Sequence, residues 1–600
     1  MSSMHTEQLK LPETVAELAF VSAERFGDTP AQRFKRDGRW QDLSYTELGA
    51  AARQIGLGLI GLGVRPGDRV CVLADTRPEF TQAQFGIAAA GAVVVPIYPS
   101  SSPDECAWVA GNSGATAIIC ENAGQLAKVE QIRDRLPDLR HTLVIDPADA
   151  ATLTLGQLRR WGRTFGAAKL RRRTEAVRPD APAIIIYTSG TTGRPKGCVL
   201  THRNMMACCR VTEQLRVVGA DDVAYLFLPL AHVFAQVIQL GMTGVGGMVA
   251  YCSGGASVIV PDCGEVAPTF LPSVPRIYEK IYAQFAEQVP ADELAGGVQT
   301  GLAVRRMEAA GQPVPDELHQ RFEQADAQLF AGVRALFGGR LRRAISGAAP
   351  IAPEILEFFH AAGIPVCEGY GLSESASLGT LNTLDATRIG TIGMPVPDCD
   401  VRLAEDDEIL LRGPHIFTGY WNNPQATAEI LADGWLRTGD LGAVDDDGYL
   451  TITGRKKDII ITAGGKNLTP ANLENDLRQS PFISQAVMYG DRRPYPVALI
   501  TLDAERIHPW AQAHGLPTDI ESLATHPHVR ARIQQVLDEV NSRYARVTQI
   551  KRFAILARDF SQETGELTPT LKVKRQAVYR KYAAILDALY NGVPAMREMP

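Results

Sequence analysis

The segment YTSGTTGRPKG, from Tyr187 to Gly197, concentrates residues that can do phosphate chemistry. It follows the apolar run Ile184-Ile185-Ile186, which reads as a buried strand. Glycines after a strand let the backbone turn sharply, so that several N–H groups converge on one anion. Thr188, Ser189, Thr191 and Thr192 add hydroxyls, Gly190 and Gly193 the freedom to turn, and Lys196 a point charge. The ligand this combination suits is a polyphosphate. The spacing is not that of an ordinary P-loop. Counted from Gly190, the sixth position is Pro195 rather than glycine, and Lys196 is followed by Gly197, not by a hydroxyl.

Four further motifs stand downstream: EGYGLSES (Glu368 to Ser375), LRTGDLG (Leu436 to Gly442), GRKKDIIITAGGKNL (Gly454 to Leu468) and TPTLKVKR (Thr568 to Arg575). With the glycine loop, these five in this order resemble the adenylate-forming enzymes, and the similarity covers nearly the whole chain. That resemblance implies two half-reactions. A carboxylate attacks the α-phosphorus of ATP and expels pyrophosphate; the thiol of coenzyme A then displaces AMP from the acyl-adenylate. The first step joins two anions, so positioning and charge neutralisation should dominate catalysis.

By the same resemblance, Glu374 and Thr188 hold Mg2+ on the phosphates, and Lys196 and the loop Ser189, Gly190, Thr191, Thr192 and Gly193 cradle them. Lys572 bridges the carboxylate and the α-phosphate; Lys574, two residues on, is its rival. Asp440 accepts hydrogen bonds from the ribose hydroxyls, with an ordinary turn aspartate as the alternative. Arg455 contacts ribose and phosphate. Gly347, Ala348 and Ala349 form a thin wall against adenine, next to Glu368 and Gly369 and with Tyr370 on the other face, although Tyr370 equally suits a core. Ser373 stands where the family more often has threonine, and keeps the hydroxyl for the AMP phosphate. Lys457 is the expected hinge, and Gly464 and Gly465 the expected lining of a coenzyme A tunnel.

The acyl pocket follows the same logic. Acetate-specific relatives block it with a tryptophan where this chain has Gly371, so glycine is expected to leave a channel open. The small, apolar stretch Leu240 to Gly255 suits a tunnel, and His232 matches a gate, or is a satisfied core histidine. No aspartate lies between Leu230 and Gln236 to pair an α-amine, which disfavours amino acids. The helical stretch after Ser273 to Tyr282 and the form of the glycine loop near Gly464 look most like long-chain fatty acyl-CoA synthetases. A fatty acyl-AMP ligase, which stops after the first step, is the close alternative. It would carry an extra apolar insertion, and none stands between Gly369 and Gly393. A non-catalytic nucleotide- or lipid-binding relative should show damage at Lys196, Glu374, Asp440 or Lys572; all four are intact.

The elements that must position these residues are legible as texture. Asp68 to Ala74, a helix opened by Pro78 and stopped by Gly91, and Ala92 to Tyr98 give a βαβ unit with a parallel sheet. The expected fold class is α/β: a large N-terminal domain, residues 1–453 with a helical excursion about 276–343, and a small mobile α+β domain, residues 454–600. Six hundred residues exceed one ordinary core.

Composition narrows the partners. The net charge of -6 gives no case for nucleic acid, and the basic run Arg171 to Arg173 reads as a solvated linker. Ten scattered cysteines without a C-x-x-C pair fit reduced thiols in the cytosol. The longest run without a polar side chain, Phe85 to Ile97, is too short to span a bilayer. The partners that the resemblance implies are a fatty acid, ATP and coenzyme A; the composition suits a cytoplasmic protein for which loose contact with a membrane surface stays open. His526 and His528 lack a third metal ligand nearby. Oligomeric state has no sequence signal.

Overall fold

The computed structural model describes residues 10–147, 152–188, 194–463, 466–568 and 571–591. Two large sheets face each other across the main core. The first has eight strands and is built on parallel pairs among Arg69–Leu73, Val93–Ile97, Ala115–Cys120, His141–Val144 and Pro182–Thr188. The second has nine strands, with a parallel centre running through Met248–Tyr251, Val223–Leu226, Phe270–Ser273, Arg343–Ser346 and Val366–Tyr370.

Strands covered on both faces explain the continuous apolar runs. Val70 and Val72 enter the core shared by the two sheets, whereas Cys71 and Leu73 enter a separate one on the other face. The helix Pro78–Ala89 starts at its proline, as the sequence predicts. The expected excursion is helical: Pro275–Ala286, Ala291–Ala309, Asp316–Ala325 and Ala331–Leu336 pack around a cluster that includes Phe285, Phe330 and Phe358.

A five-stranded antiparallel sheet, which the sequence reading does not separate from the large domain, follows the second large sheet. It includes Glu408–Arg412, Trp435–Val444 and Leu450–Arg455. Position 453, the expected last residue of the large domain, falls inside Leu450–Arg455, and pairing with the preceding strand continues to Arg455. Beyond it, Ile483–Tyr489, Val497–Leu502 and Arg552–Ile555 form a three-stranded sheet, packed by helices that include Pro470–Arg478 and Pro527–Ser542. His526 is the N-cap of the latter helix, accepting from the His528 N–H.

Three ion pairs join this small domain to the helix Pro275–Ala286 and the residue that follows it: Arg276 with Asp503 at 2.5 Å, Lys280 with Glu505 at 2.7 Å, and Glu287 with Arg506 at 3.1 Å.

Candidate active site

The strands on either side of the glycine loop pair antiparallel. Ile184 and Ile186 enter one core and Ile185 another, which fixes the strand Pro182–Thr188 on both faces. The chain returns antiparallel through Lys196–Thr201, with Thr188 opposite Lys196. Register therefore puts the hydroxyl residue and the lysine side by side. Ser189, Gly190, Thr191, Thr192 and Gly193 lie outside the described residues.

A short strand, Gly419–Tyr420, adds to the returning one. It brings in a residue that the sequence reading missed. The Lys196 ammonium sits 5.0 Å from the centroid of the Tyr420 ring, and the Tyr420 hydroxyl donates to Glu374 Oε1 at 2.5 Å. One aromatic side chain thus touches both the loop lysine and the acidic residue of EGYGLSES. The only sequence signal was Gly-Tyr-Trp at 419–421, which carries no charge and matches no phosphate motif.

Glu374 lies in the single helical turn Ser373–Ser375, where its carbonyl accepts the Phe417 N–H at 2.8 Å. Ala376 and Ser377 follow with φ of 48° and 62°, left-handed values that fold the chain back on itself. This return corrects the expectation for Gly371. A Cβ there would meet the Ser377 carbonyl carbon at 2.3 Å; the glycine admits backbone, not an open channel.

The glycines of Leu240 to Gly255 give a second correction. A Cβ at Gly241 would meet Thr212 at 2.8 Å, at Gly246 the Phe26 ring at 2.6 Å, and at Gly247 Met242 at 2.5 Å. These three glycines admit close packing between elements, whereas Gly255 has nothing within 4 Å of its Cβ direction.

At the other end of the site, Asp440 pairs in register with Arg455. Its Oδ1 receives Arg455 Nε at 2.6 Å and its Oδ2 the Tyr370 hydroxyl at 2.7 Å. The Asp440 side chain is 4% exposed and that of Arg455 50%. The Asp440 carboxylate raises the Arg455 pKa. Burial, then the Asp440 charge, push the Tyr370 phenol far up, so it stays a hydrogen-bond donor.

Beside this pair runs the loop after Arg343–Ser346. Ala348 is exposed at φ 69°. The Cβ direction of Gly347 meets the Phe234 ring at 3.6 Å and the Gly369 carbonyl at 3.5 Å, so Gly347, Ala348 and Ala349 present mostly backbone. Glu368 is buried on the adjoining strand, and burial pushes its carboxyl up to about 7.

Lys572 enters from the small domain. Its N–H donates to Thr568 Oγ1 at 3.0 Å, and Lys574 N–H donates to the Glu566 carbonyl at 2.7 Å. Glu566 anchors the turn. Its side chain is fully buried and takes Arg558 at 2.9 Å, Lys581 at 2.7 Å and Tyr582 at 3.0 Å. Burial opposes ionisation there, but Lys581, Thr564 and Tyr582 hold the carboxyl down to about 2.

Lys572 is exposed as a residue, while protein crowds around its ammonium. That crowding, then the nearby Arg455, lower its pKa to about 8, while Asp440 and Glu374 act the other way. Its charge also reaches His232, which burial, then Lys572, push down to about 4. The neutral His232 is the N-cap of the helix Val233–Val245, its Nδ1 accepting the Phe234 N–H at 3.2 Å. Lys572 therefore stands near enough to Glu374, Asp440, Arg455 and His232 for their charges to act on one another, although it lies more than 100 residues beyond each of them in the chain. Lys457 is exposed on the turn after Leu450–Arg455, and its neighbour Lys456 is tied back to Glu408 at 3.1 Å. Gly464 and Gly465 lie outside the described residues.

This two-lobed arrangement matches known proteins. Residues 20–421 match the AMP-binding enzyme family, and residues 457–594 the C-terminal domain of AMP-binding enzymes.

The chain belongs to the AMP-binding enzyme family.

Among the relatives of this AMP-binding enzyme is the long-chain-fatty-acid–CoA ligase FadD15 of Mycobacterium bovis. It is 40% identical over 92% of this chain and 93% of its own length. The long-chain-fatty-acid–CoA ligase ACSBG1 of Bos taurus is 32% identical over 97% and 85%. A solved fatty acyl CoA synthetase of Mycobacterium tuberculosis shares the fold with a TM-score of 0.62, at 24% identity, covering 96% of this chain and 99% of that one.

Tyr420→Phe keeps the ring under Lys196 and removes only the hydrogen bond to Glu374. A bond to a charged group contributes about 1.5–3 kcal/mol. The kcat/KM for ATP should therefore fall about 10- to 100-fold, and Tyr420→Ala should lose more. Initial rates of pyrophosphate release check both; a phenylalanine variant as active as the parent would remove Tyr420 from the site.

Proposed function

We propose that this enzyme activates a fatty acid, a long-chain acid best, with ATP to acyl-adenylate and pyrophosphate, then transfers the acyl group to coenzyme A with release of AMP. The observation that carries the reading is Lys572. A small-domain ammonium comes near enough to Glu374, Asp440 and Arg455 for their charges to act on it, and this is where adenylation would need a cation. The long-chain assignment rests on the names of the relatives, two of which are long-chain-fatty-acid–CoA ligases.

In this reading Lys196 and the hairpin hold the β- and γ-phosphates. Asp440 and Arg455 fix the ribose, and the backbone of Gly347 to Ala349 faces adenine. Lys572 neutralises charge as the carboxylate oxygen bonds to the α-phosphorus and the bond to pyrophosphate breaks. Glu374 and Thr188 would hold Mg2+, since their hard oxygens suit it; the Tyr420 hydroxyl donates to Glu374 Oε1, which leaves the carboxylate able to act as a ligand. When bound, the ion supplies charge neutralisation on the phosphates. A related fold, the o-succinylbenzoate coenzyme A synthetase of Bacillus subtilis, was solved with ATP and a magnesium ion.

For the second half-reaction the small domain turns about Lys457, and Gly464 and Gly465 line the path of the thiol. The thiol sulfur bonds to the acyl carbon, its proton is lost, and the carbon–oxygen bond to AMP breaks. No helix among the described residues is long and apolar enough to cross a membrane, which is consistent with acting on a fatty acid from the aqueous side or at a membrane surface.

A panel of acids from acetate to long-chain and aromatic tests this, with pyrophosphate release read first and coenzyme A-dependent AMP release second. Both should be highest with long-chain fatty acids. Pyrophosphate release without dependence on coenzyme A would favour an acyl-AMP ligase; no release with any fatty acid would end the reading.

A further inference from the structure

The run Arg171 to Arg173 is not a solvated linker. It lies on the helix Ala167–Glu175, beside a second short helix, Leu155–Gly162. Both dock on one glycine-lined side of the helix Tyr45–Gly61. A Cβ at Gly56 would meet Leu170 at 2.8 Å, at Gly58 Leu158 at 2.6 Å, and at Gly61 the rings of Phe165 and Trp161 at 2.8 and 2.9 Å. Leu155, Leu158 and Leu170 are buried there, so the opposite sides of the two helices share one outward surface.

That surface is basic and aromatic. Arg160, Arg163, Lys169, Arg171 and Arg172 are exposed on it, and among the described residues none of the five forms a salt bridge. Glu175 is the single acidic residue from Leu155 to Glu175. Arg173 and Arg159 differ, since they are spent on structure: Arg173 reaches the Ala90 carbonyl at 3.2 Å, and Arg159 reaches Gln54 at 3.1 Å. Trp161 is 41% exposed. Its ring packs edge-on against Phe165 at 5.1 Å, and Lys169 Nζ stands 5.9 Å from the Phe165 centroid.

Five unpaired cations in a protein of net charge -6 mark a local departure from the whole. Cations alone would suit any polyanion. A half-exposed tryptophan between Arg160 and Arg163 narrows the partner, because its amphipathic ring is at home at the level of lipid headgroups. We propose that the outer surface of Leu155–Gly162 and Ala167–Glu175 docks on an anionic phospholipid membrane. The arginines and Lys169 face the headgroups, and Trp161 enters the interface. The benefit to catalysis rests on the fatty-acid reading above, since such acids partition into bilayers; the docking itself does not.

The full-length enzyme is sedimented with vesicles of phosphatidylcholine alone and of phosphatidylcholine with phosphatidylglycerol, at low and high salt. Binding should require the anionic lipid and weaken as salt screens it. Near such a surface each cation contributes about fivefold in partition. The triple variant Arg160→Gln, Arg171→Gln, Arg172→Gln should therefore bind about 100-fold more weakly, and Trp161→Ala severalfold more weakly at either salt.

Activity on a water-soluble acid should be unchanged in both variants, which also shows that they fold. Equal binding to neutral and anionic vesicles, or a triple variant that binds like the parent, overturns the proposal. So does capture of RNA through the same arginines without vesicle binding. If vesicles bind as expected but no fatty acid is adenylated, the functional reading falls and the docking surface stands.

Discussion

Lys572→Ala should lower the adenylation rate about 100- to 1,000-fold, the usual effect of deleting a preorganised donor to developing charge. It should leave coenzyme A transfer from supplied acyl-adenylate close to that of the parent. The structure motivates the asymmetry. Lys572 follows buried Glu566 in the small domain, and the ion pairs of Asp503, Glu505 and Arg506 with the large domain accompany the arrangement in which it stands near Glu374 and Asp440. In the proposed second state, with the small domain turned, the lysine would be elsewhere. Half-reactions measured separately decide the point; equal loss in both would mean that the lysine serves the fold or both steps.

The pH profile supplies an independent check. The Lys572 pKa is lowered to about 8, so the ammonium is present below that pH and is lost above it. If the charged form is the active one, kcat/KM, which reports the free enzyme, should fall as pH rises through about 8. Bound phosphates favour the ammonium, so the limb in kcat should lie higher. Lys572→Arg, which does not titrate in this range, should keep part of the rate and lose the limb. A limb unchanged in the arginine variant would assign it to another group.

Much of this site was legible before any fold was known, because phosphate and ribose contacts depend on residue type and order. Thr188, Lys196, Glu374, Asp440, Arg455 and Lys572 stand in the motifs, and the fold brings Lys572 within reach of the charges of Glu374, Asp440 and Arg455. The apolar strands were equally legible, since burial on both faces leaves a continuous run such as Val70 to Leu73. What stayed hidden depended on register and on close approach. Tyr420 becomes part of the site only when its two-residue strand pairs with Lys196–Thr201. Gly371 reads as an absent side chain in the sequence, yet the space is filled by the Ser377 backbone. Arg171 to Arg173 read as a polar run because the buried partners of that helix, on Tyr45–Gly61, are over 100 residues away.

Asp440→Asn should have the second largest effect, and its form separates two roles of one carboxylate. If Asp440 holds the ribose equally in ground state and transition state, its loss appears in KM for ATP with kcat preserved. But Asp440 also acts on its neighbours. Its charge holds Arg455, receives the Tyr370 hydroxyl and raises the Lys572 pKa. Removing one partner of a hydrogen-bonded charge pair costs about 2–4 kcal/mol, within the range for buried pairs. Arg455 is half exposed, so water recovers part of that, which favours the lower end. The expected loss in kcat/KM for ATP is therefore about 30-fold to several hundredfold. The alkaline limb of kcat/KM should move to lower pH, because the carboxylate that favours the Lys572 ammonium is gone. Arg455→Ala should move it the other way, since Arg455 lowers the Lys572 pKa. In the double variant the two displacements should largely cancel. A limb that stays in place in all three variants would mean that Lys572 does not share its cleft with this pair during adenylation, and the cation that adenylation requires would have to be sought elsewhere.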